Sequence, residues 1–131
     1  MFSENFPRNE IKLLYPTTKR TASGVIIHAP NEQKLQMKND LSVLYKVNPA
    51  YTDGLTAYIK TDFREGNIVA LYDRNEILIG GNRENQSKLT AHECFHHLVT
   101  KTDQFPTISE EIEEKISELI GQWFTKSKKI K

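Results

Sequence analysis

Residues 92 to 96 read His-Glu-Cys-Phe-His, an H-E-x-x-H arrangement, and here the spacing itself specifies chemistry. Residues four apart on a helix project from one face a turn apart. The imidazoles of His92 and His96 can therefore reach one ion at the roughly 2.0–2.1 Å of a zinc–nitrogen bond. Glu93 lies about 100° round the helix from His92 and about 60° from His96. It is badly placed to ligate beside them and well placed to take a proton from a metal-bound water, the general-base position of a metalloprotease. With four histidines in the chain, shuffled sequences would produce the pattern on the order of one time in a hundred, so coincidence explains it poorly.

The competing reading is a polar stripe on an amphipathic helix. Ala91, Cys94, Phe95 and Leu98 form one arc suited to the core, which leaves His92, Glu93 and His96 at the core margin, facing a cleft. Two protein ligands hold a catalytic metal weakly, and such zinc sites ordinarily use three with water in the fourth position. No histidine follows His97, so a third histidine soon after the motif is excluded and a carboxylate must serve. The last helical segment offers Glu110, Glu111, Glu113, Glu114 and Glu118. Glu114 shares a face with Ser117 and Gly121, whose small side chains would let the motif helix come close, and it is the expected third ligand. Glu110, one turn earlier on that face, is its competitor. Glu113 falls nearer the apolar arc of Ile112, Ile116, Leu119, Ile120 and Trp123, and Glu111 lies well off the face.

The elements that must position these groups follow from hydrophobic patterning. The first 22 residues carry two prolines and no sustained periodicity, and read as a surface arm. Ser23 to His28 reads as a strand, stopped by Ala29-Pro30-Asn31, and a helix capped by Asn31 runs from Glu32 to about Tyr45, ended by Asn48-Pro49. Three β-like runs follow, Leu55 to Thr61, Asn67 to Tyr72 and Glu76 to Gly80, the last two facing each other as a hairpin across Asp73-Arg74-Asn75. The motif helix starts near Lys88 with Asn85 or Ser87 placed to cap it, and a last helix spans Ser109 to Phe124 with Ser109 as its cap. Thr125 to Lys131 is a lysine-rich tail. The expectation is one α+β domain over residues 1–131, with an N-terminal helix, a small mostly antiparallel sheet, the H-E-x-x-H helix and a C-terminal glutamate helix.

Composition narrows the function classes. A chain of 131 residues supports one core. Eighteen Lys+Arg against 17 Asp+Glu give a formal charge of +1, which favours neither nucleic acid nor an anionic membrane. No apolar stretch approaches the roughly 20 residues of a membrane helix, and MFSENFPRNE lacks the layout of a secretory signal, so the expected compartment is the cytoplasm. Cys94 has no partner for an internal disulfide and sits on the core arc, where a buried apolar role is expected. His28 ends a strand remote in sequence from the motif and points to no role.

Leu89-Thr90-Ala91-His92-Glu93-Cys94-Phe95-His96-His97-Leu98 resembles the motif helix of small peptidases of the ImmA/IrrE family, doubled histidine included. Glu114-Lys115-Ile116-Ser117-Glu118-Leu119-Ile120-Gly121 resembles the gluzincin signature, a ligand Glu followed four residues later by Asp or Asn and then by an apolar and a small residue. The resemblance covers about residues 67 to 124 and extends to thermolysin-like enzymes and the archaeal minigluzincins. It implies a minimal zincin-like fold with zinc held by His92, His96 and Glu114. Glu118 stands where the family has Asp or Asn; it would orient a ligating histidine, or else be a solvated helix charge. His97, beside Glu93 round the helix, would contact substrate at the cleft rim or simply pack. The resemblance also implies that one arm of the hairpin is an edge strand above the metal, able to pair with an extended substrate.

Hydrolysis of this kind has zinc polarise the scissile carbonyl while Glu93 deprotonates the bound water and later protonates the leaving amine. An oxyanion-stabilising Tyr or His normally completes such a site, and Leu98 to Glu113 contains neither, so Tyr51, Tyr58, Tyr72 or His97 would have to supply it. The expected partner is a protein or peptide substrate, by resemblance a repressor-type regulatory protein. The arm or the tail could cover the cleft, as in minigluzincins. The alternative is a non-catalytic regulatory or interaction domain with structural zinc, against which the intact Glu93 speaks. Peptide deformylase, which also uses H-E-x-x-H, lacks support because its glycine-rich segment and separate cysteine motif are absent.

Overall fold

The computed structural model of the chain describes residues 6–102 and 108–129. Along them run four α-helices, α1 (Arg8–Leu14), α2 (Asn31–Val47), α3 (Gln86–Lys101) and α4 (Glu110–Lys129), and four strands, β1 (Ile26–His28), β2 (Thr56–Ile59), β3 (Ala70–Asp73) and β4 (Glu76–Ile79). Short 3₁₀ turns at Pro49–Tyr51 and Arg83–Asn85 lead out of α2 and into α3. The chain is thus α+β. Among the described residues no helix is long and apolar enough to cross a membrane.

The strands form one sheet in the order β1-β2-β4-β3, and it is mixed rather than mostly antiparallel as the sequence suggested. β1 with β2 and β2 with β4 are parallel, and β3 with β4 is antiparallel. The connections explain the difference. α2 carries the chain back between β1 and β2, as a parallel pair requires, and the chain then visits the far edge as β3 before the hairpin returns it as β4 beside β2. The hairpin turn is Arg74-Asn75 with φ of 48° and 70°, two left-handed residues whose twist matches that of the flanking strands.

Side chains alternate across the sheet. Ala57, Ile59, Ile77 and Ile79 enter the main core with Met37, Leu41 and Leu44 of α2 and with Ala91, Cys94, Phe95 and Leu98 of α3, the arc expected to face inward. Tyr58 and Leu78 point the other way into a second, smaller core. That core corrects the surface arm: Arg8–Leu14 is helical, and Phe6 and Ile11 pack on Tyr58, Phe63 and Leu78. Arg8 Nε donates to Glu76 Oε1 at 2.8 Å, and Glu76 Oε2 accepts the Tyr58 hydroxyl at 2.5 Å, so α1 is pinned to the sheet by charge as well. His28 stacks on Tyr58 and donates Nδ1–H to the Tyr15 carbonyl at 2.8 Å, a packing role.

Helix termini depart from expectation in detail. Asn31 is the first residue of α2 and no side chain caps it. Neither Asn85 nor Ser87 caps α3: Asn82 accepts the Asn85 N–H to close the 3₁₀ turn, and Ser87 Oγ donates to the buried Asp40 of α2 at 2.6 Å. Ser109 does cap α4, accepting the Ile112 N–H at 3.2 Å. Most of the expected lysine-rich tail continues α4 through Lys129, while residues 1–5 and 130–131 of the arm and tail lie outside the described residues.

Because Ile11 is 1 % exposed, Ile11→Ala is expected to lower the unfolding free energy by about 2–4 kcal/mol in urea titrations. A loss under about 0.5 kcal/mol would fit a peripheral arm instead.

Candidate metal centre

α3 and α4 cross face to face, and small residues let them. Ser117 is fully buried, and a Cβ placed on Gly121 would lie 2.9 Å from the Lys88 carbonyl oxygen and 3.1 Å from Lys88 Cγ. The face of α4 turned to α3 thus carries Glu113, Ser117, Gly121 and Phe124, and the apolar arc is only half used: Ile116 and Ile120 pack against the main core, whereas Ile112, Leu119 and Trp123 are 49 %, 61 % and 44 % exposed.

This crossing brings three of the expected groups together. Ligand atoms of His92, His96 and Glu114 all lie within 4.8 Å of one another. His92 Nε2 is 3.3 Å from Glu114 Oε2, and His96 Nε2 is 2.7 Å from Glu114 Oε1. A tetrahedral ion with bonds near 2.0–2.2 Å separates its ligand atoms by about 3.3–3.6 Å, so the set fits zinc with small side-chain adjustments. Glu110 lines the same cleft one turn earlier, outside this group.

The outer nitrogens show why these imidazoles are poised to ligate. His92 Nδ1 lies 3.3 Å from Glu118 Oε2, and His96 Nδ1 lies 2.5 Å from Glu113 Oε2. An ionised carboxylate only accepts, so Nδ1 is the protonated nitrogen of each ring. Each Nε2 then turns a lone pair toward a Glu114 oxygen, acceptor against acceptor, unless a cation or a second proton lies between. Burial lowers the His92 pKa, with the neighbouring His96 adding to the effect against the pull of Glu114 and Glu118, and so disfavours the second proton. At His92 a divalent cation would resolve the conflict.

Glu118 thus faces His92, and its longer arm is steadied by Lys88, whose Nζ is 2.9 Å from Glu118 Oε1. That contact is the main reason its carboxyl is held below the usual range. Glu113 is the residue that sequence reasoning missed. Helical periodicity places it near the apolar arc, and only the crossing angle of α4 on α3 brings it to His96.

Glu93 is 7 % exposed, and its Oε2 stands 4.0 Å from His92 Nε2. Desolvation pushes its pKa up to about 7, with His96 opposing the shift and Glu114 adding to it. A carboxyl tuned near neutrality is suited to both accepting and returning a proton.

The two expected substrate contacts fare differently. His97 is fully buried; its Nε2–H donates to the Asp53 carbonyl at 2.5 Å and its Nδ1 accepts the Tyr72 hydroxyl at 3.0 Å. It therefore does not reach the cleft rim. Tyr72 lines the cleft and stacks near His96, but its proton is committed to His97. Tyr58 donates to Glu76 in the smaller core, and Tyr51 is buried in the main one, so none of the four candidates presents an oxyanion donor in this arrangement.

The cleft, about 630 Å³, runs between α4 and the segment from Asn67 to Tyr72, with His92, Glu93 and His96 along its floor. β3 is the edge strand, which settles which arm of the hairpin lies beside the site. Comparison with known proteins gives no match to a family model, a curated protein or a solved structure.

A carboxyl whose folded pKa is raised stabilises the fold only while protonated. The metal-free protein should therefore lose stability as pH rises from the ordinary value of 4.5 through about 7. Glu93→Gln removes that loss, and is expected to raise the metal-free melting temperature on the order of 5–10 °C at pH 8 while changing it little at pH 4. Equal shifts at the two pH values would show that Glu93 is not desolvated.

Proposed function

We propose that this protein is a zinc-dependent peptidase of gluzincin type, with a minimal zincin-like fold, in which His92, His96 and Glu114 hold the metal and Glu93 moves the proton. The observation that carries the reading is the convergence of ligand atoms of His92, His96 and Glu114 within 4.8 Å of one another, beside a buried carboxyl. A ligand set of two imidazoles and one carboxylate is that of catalytic rather than structural zinc, because it leaves a coordination position open.

When bound, a divalent cation supplies a Lewis acid that polarises a carbonyl and lowers the pKa of a coordinated water to about 7. The chain's own groups do the rest. Glu118 and Glu113 hold the two rings in the tautomer that offers Nε2. Glu93 accepts a proton from the attacking water as its oxygen bonds to the scissile carbon, then delivers that proton to the departing amine nitrogen as the C–N bond breaks. Burial raises the proton affinity of Glu93 above that of an ordinary carboxylate, which suits both halves. The free edge of β3 supports an extended peptide as the substrate class, since its outward N–H and C=O groups are available for strand addition. A cytoplasmic peptidase acting on a regulatory, repressor-type protein is the biological form of this proposal.

A non-catalytic, zinc-stabilised domain is the second reading, favoured by the commitment of the Tyr72 proton to His97, which leaves the oxyanion without a donor. Metal content and cleavage of peptide libraries separate the two. The peptidase reading expects about one zinc per chain, its loss in Glu114→Ala, and Glu93→Gln that keeps zinc while cleavage falls at least 100-fold. Stoichiometric zinc retained in Glu114→Ala would remove the assigned ligand, and zinc without cleavage of any peptide would favour the second reading.

A further inference from the structure

Among the described residues five carboxylates line the cleft, Glu93, Glu110, Glu113, Glu114 and Glu118, and no lysine or arginine does. Four of them have tasks at the metal centre. Glu110 has none: it makes no hydrogen bond or ion pair with any described residue. Lys88 offsets Glu118, and a divalent cation would offset two further charges, so the cleft keeps a net negative charge that no described residue of its walls meets. Glu93 makes the same point at the floor, since it is buried yet forms no hydrogen bond to a described residue and faces the opening. The opposite wall, Ile68 to Leu71, is apolar and offers no cation. A low-dielectric cleft lined by one sign of charge concentrates ligands of the other sign.

From these observations we propose that the cleft selects peptides with a lysine or arginine within about two residues of the bond presented to the metal, and that Glu110 is the side chain that recognises it. The selection of cleaved bonds rests on the peptidase reading above, whereas the selection of bound peptides does not. Register supports the position. Glu110 stands one turn from Glu114, a rise of about 6 Å, and an extended chain advances about 6.6 Å over the two residues that return a side chain to the same wall. Glu110 also favours the N-terminal end of α4 through the helix dipole, which is a matter of stability and not of selectivity.

The test uses zinc-loaded protein and fluorogenic peptides on one backbone, with Lys or Gln scanned through three positions on each side of the scissile bond. The expected outcome is a Lys-over-Gln ratio in kcat/KM of about five to ten at one of these positions, near the upper range for partly exposed ion pairs. The ratio should shrink between about 50 mM and 0.5 M salt, fall to about one in Glu110→Gln and invert in Glu110→Lys. In parallel, zinc-loaded Glu93→Gln is titrated with the same peptides by fluorescence anisotropy, and should bind the Lys peptide tighter by a similar factor that Glu110→Gln abolishes. Cleavage without a Lys preference, or a preference that survives Glu110→Gln, would overturn the proposal and leave the peptidase reading standing. Binding that depends on Glu110 with no cleavage at all would uphold it and remove the peptidase reading. Equal binding of Lys and Gln peptides would overturn it without any reference to cleavage.

Discussion

Two helices cross with little more than a serine and a glycine between them, and the ligand geometry follows from that closeness. A larger residue at Gly121 would push against the Lys88 backbone, and α4 would swing away and carry Glu114 with it. The crossing has a cost that is visible on the surface. By turning its small and acidic face inward, α4 buries Phe124 and part of Ile116 and Ile120 but leaves Ile112, Leu119 and Trp123 largely in solvent, less than burial of apolar area alone would select.

The same face concentrates charge. Glu113, Glu114 and Glu118 meet two imidazoles, and Glu93 lies desolvated beside them, so the metal-free site sets lone pairs and like charges against one another. The opposing groups are neither loose nor interchangeable. Glu118 is steadied by Lys88, and the buried His97 links the Tyr72 hydroxyl of β3 to the Asp53 carbonyl, which ties the edge strand to the motif helix.

The sheet determines what the cleft can hold. Because the chain crosses to the outer edge as β3 before returning as β4, the strand beside the metal centre has one free side. The opposite face of the sheet is closed by α1, anchored through Ile11 and through Arg8 on Glu76, so the open edge and the acidic wall of α4 bound the one cleft that contains the ligand set.

Local pattern was enough for much of this. The spacing of His92, Glu93 and His96, the inward arc of Ala91, Cys94, Phe95 and Leu98, the Ser109 cap and the small residues Ser117 and Gly121 are all fixed within one or two helical turns, where chain geometry leaves little choice. The parallel pairing of β2 with β4, the burial of α1, the role of Glu113 and the withdrawal of His97 from the cleft were decided only by tertiary structure. Each depends on which of several chemically acceptable faces an element turns inward, and that choice is made by the neighbour it packs against. On α4 periodicity points to the whole apolar arc, whereas contact with α3 buries only its Ile116 and Ile120 side, beside the face on which two helical backbones could come closest.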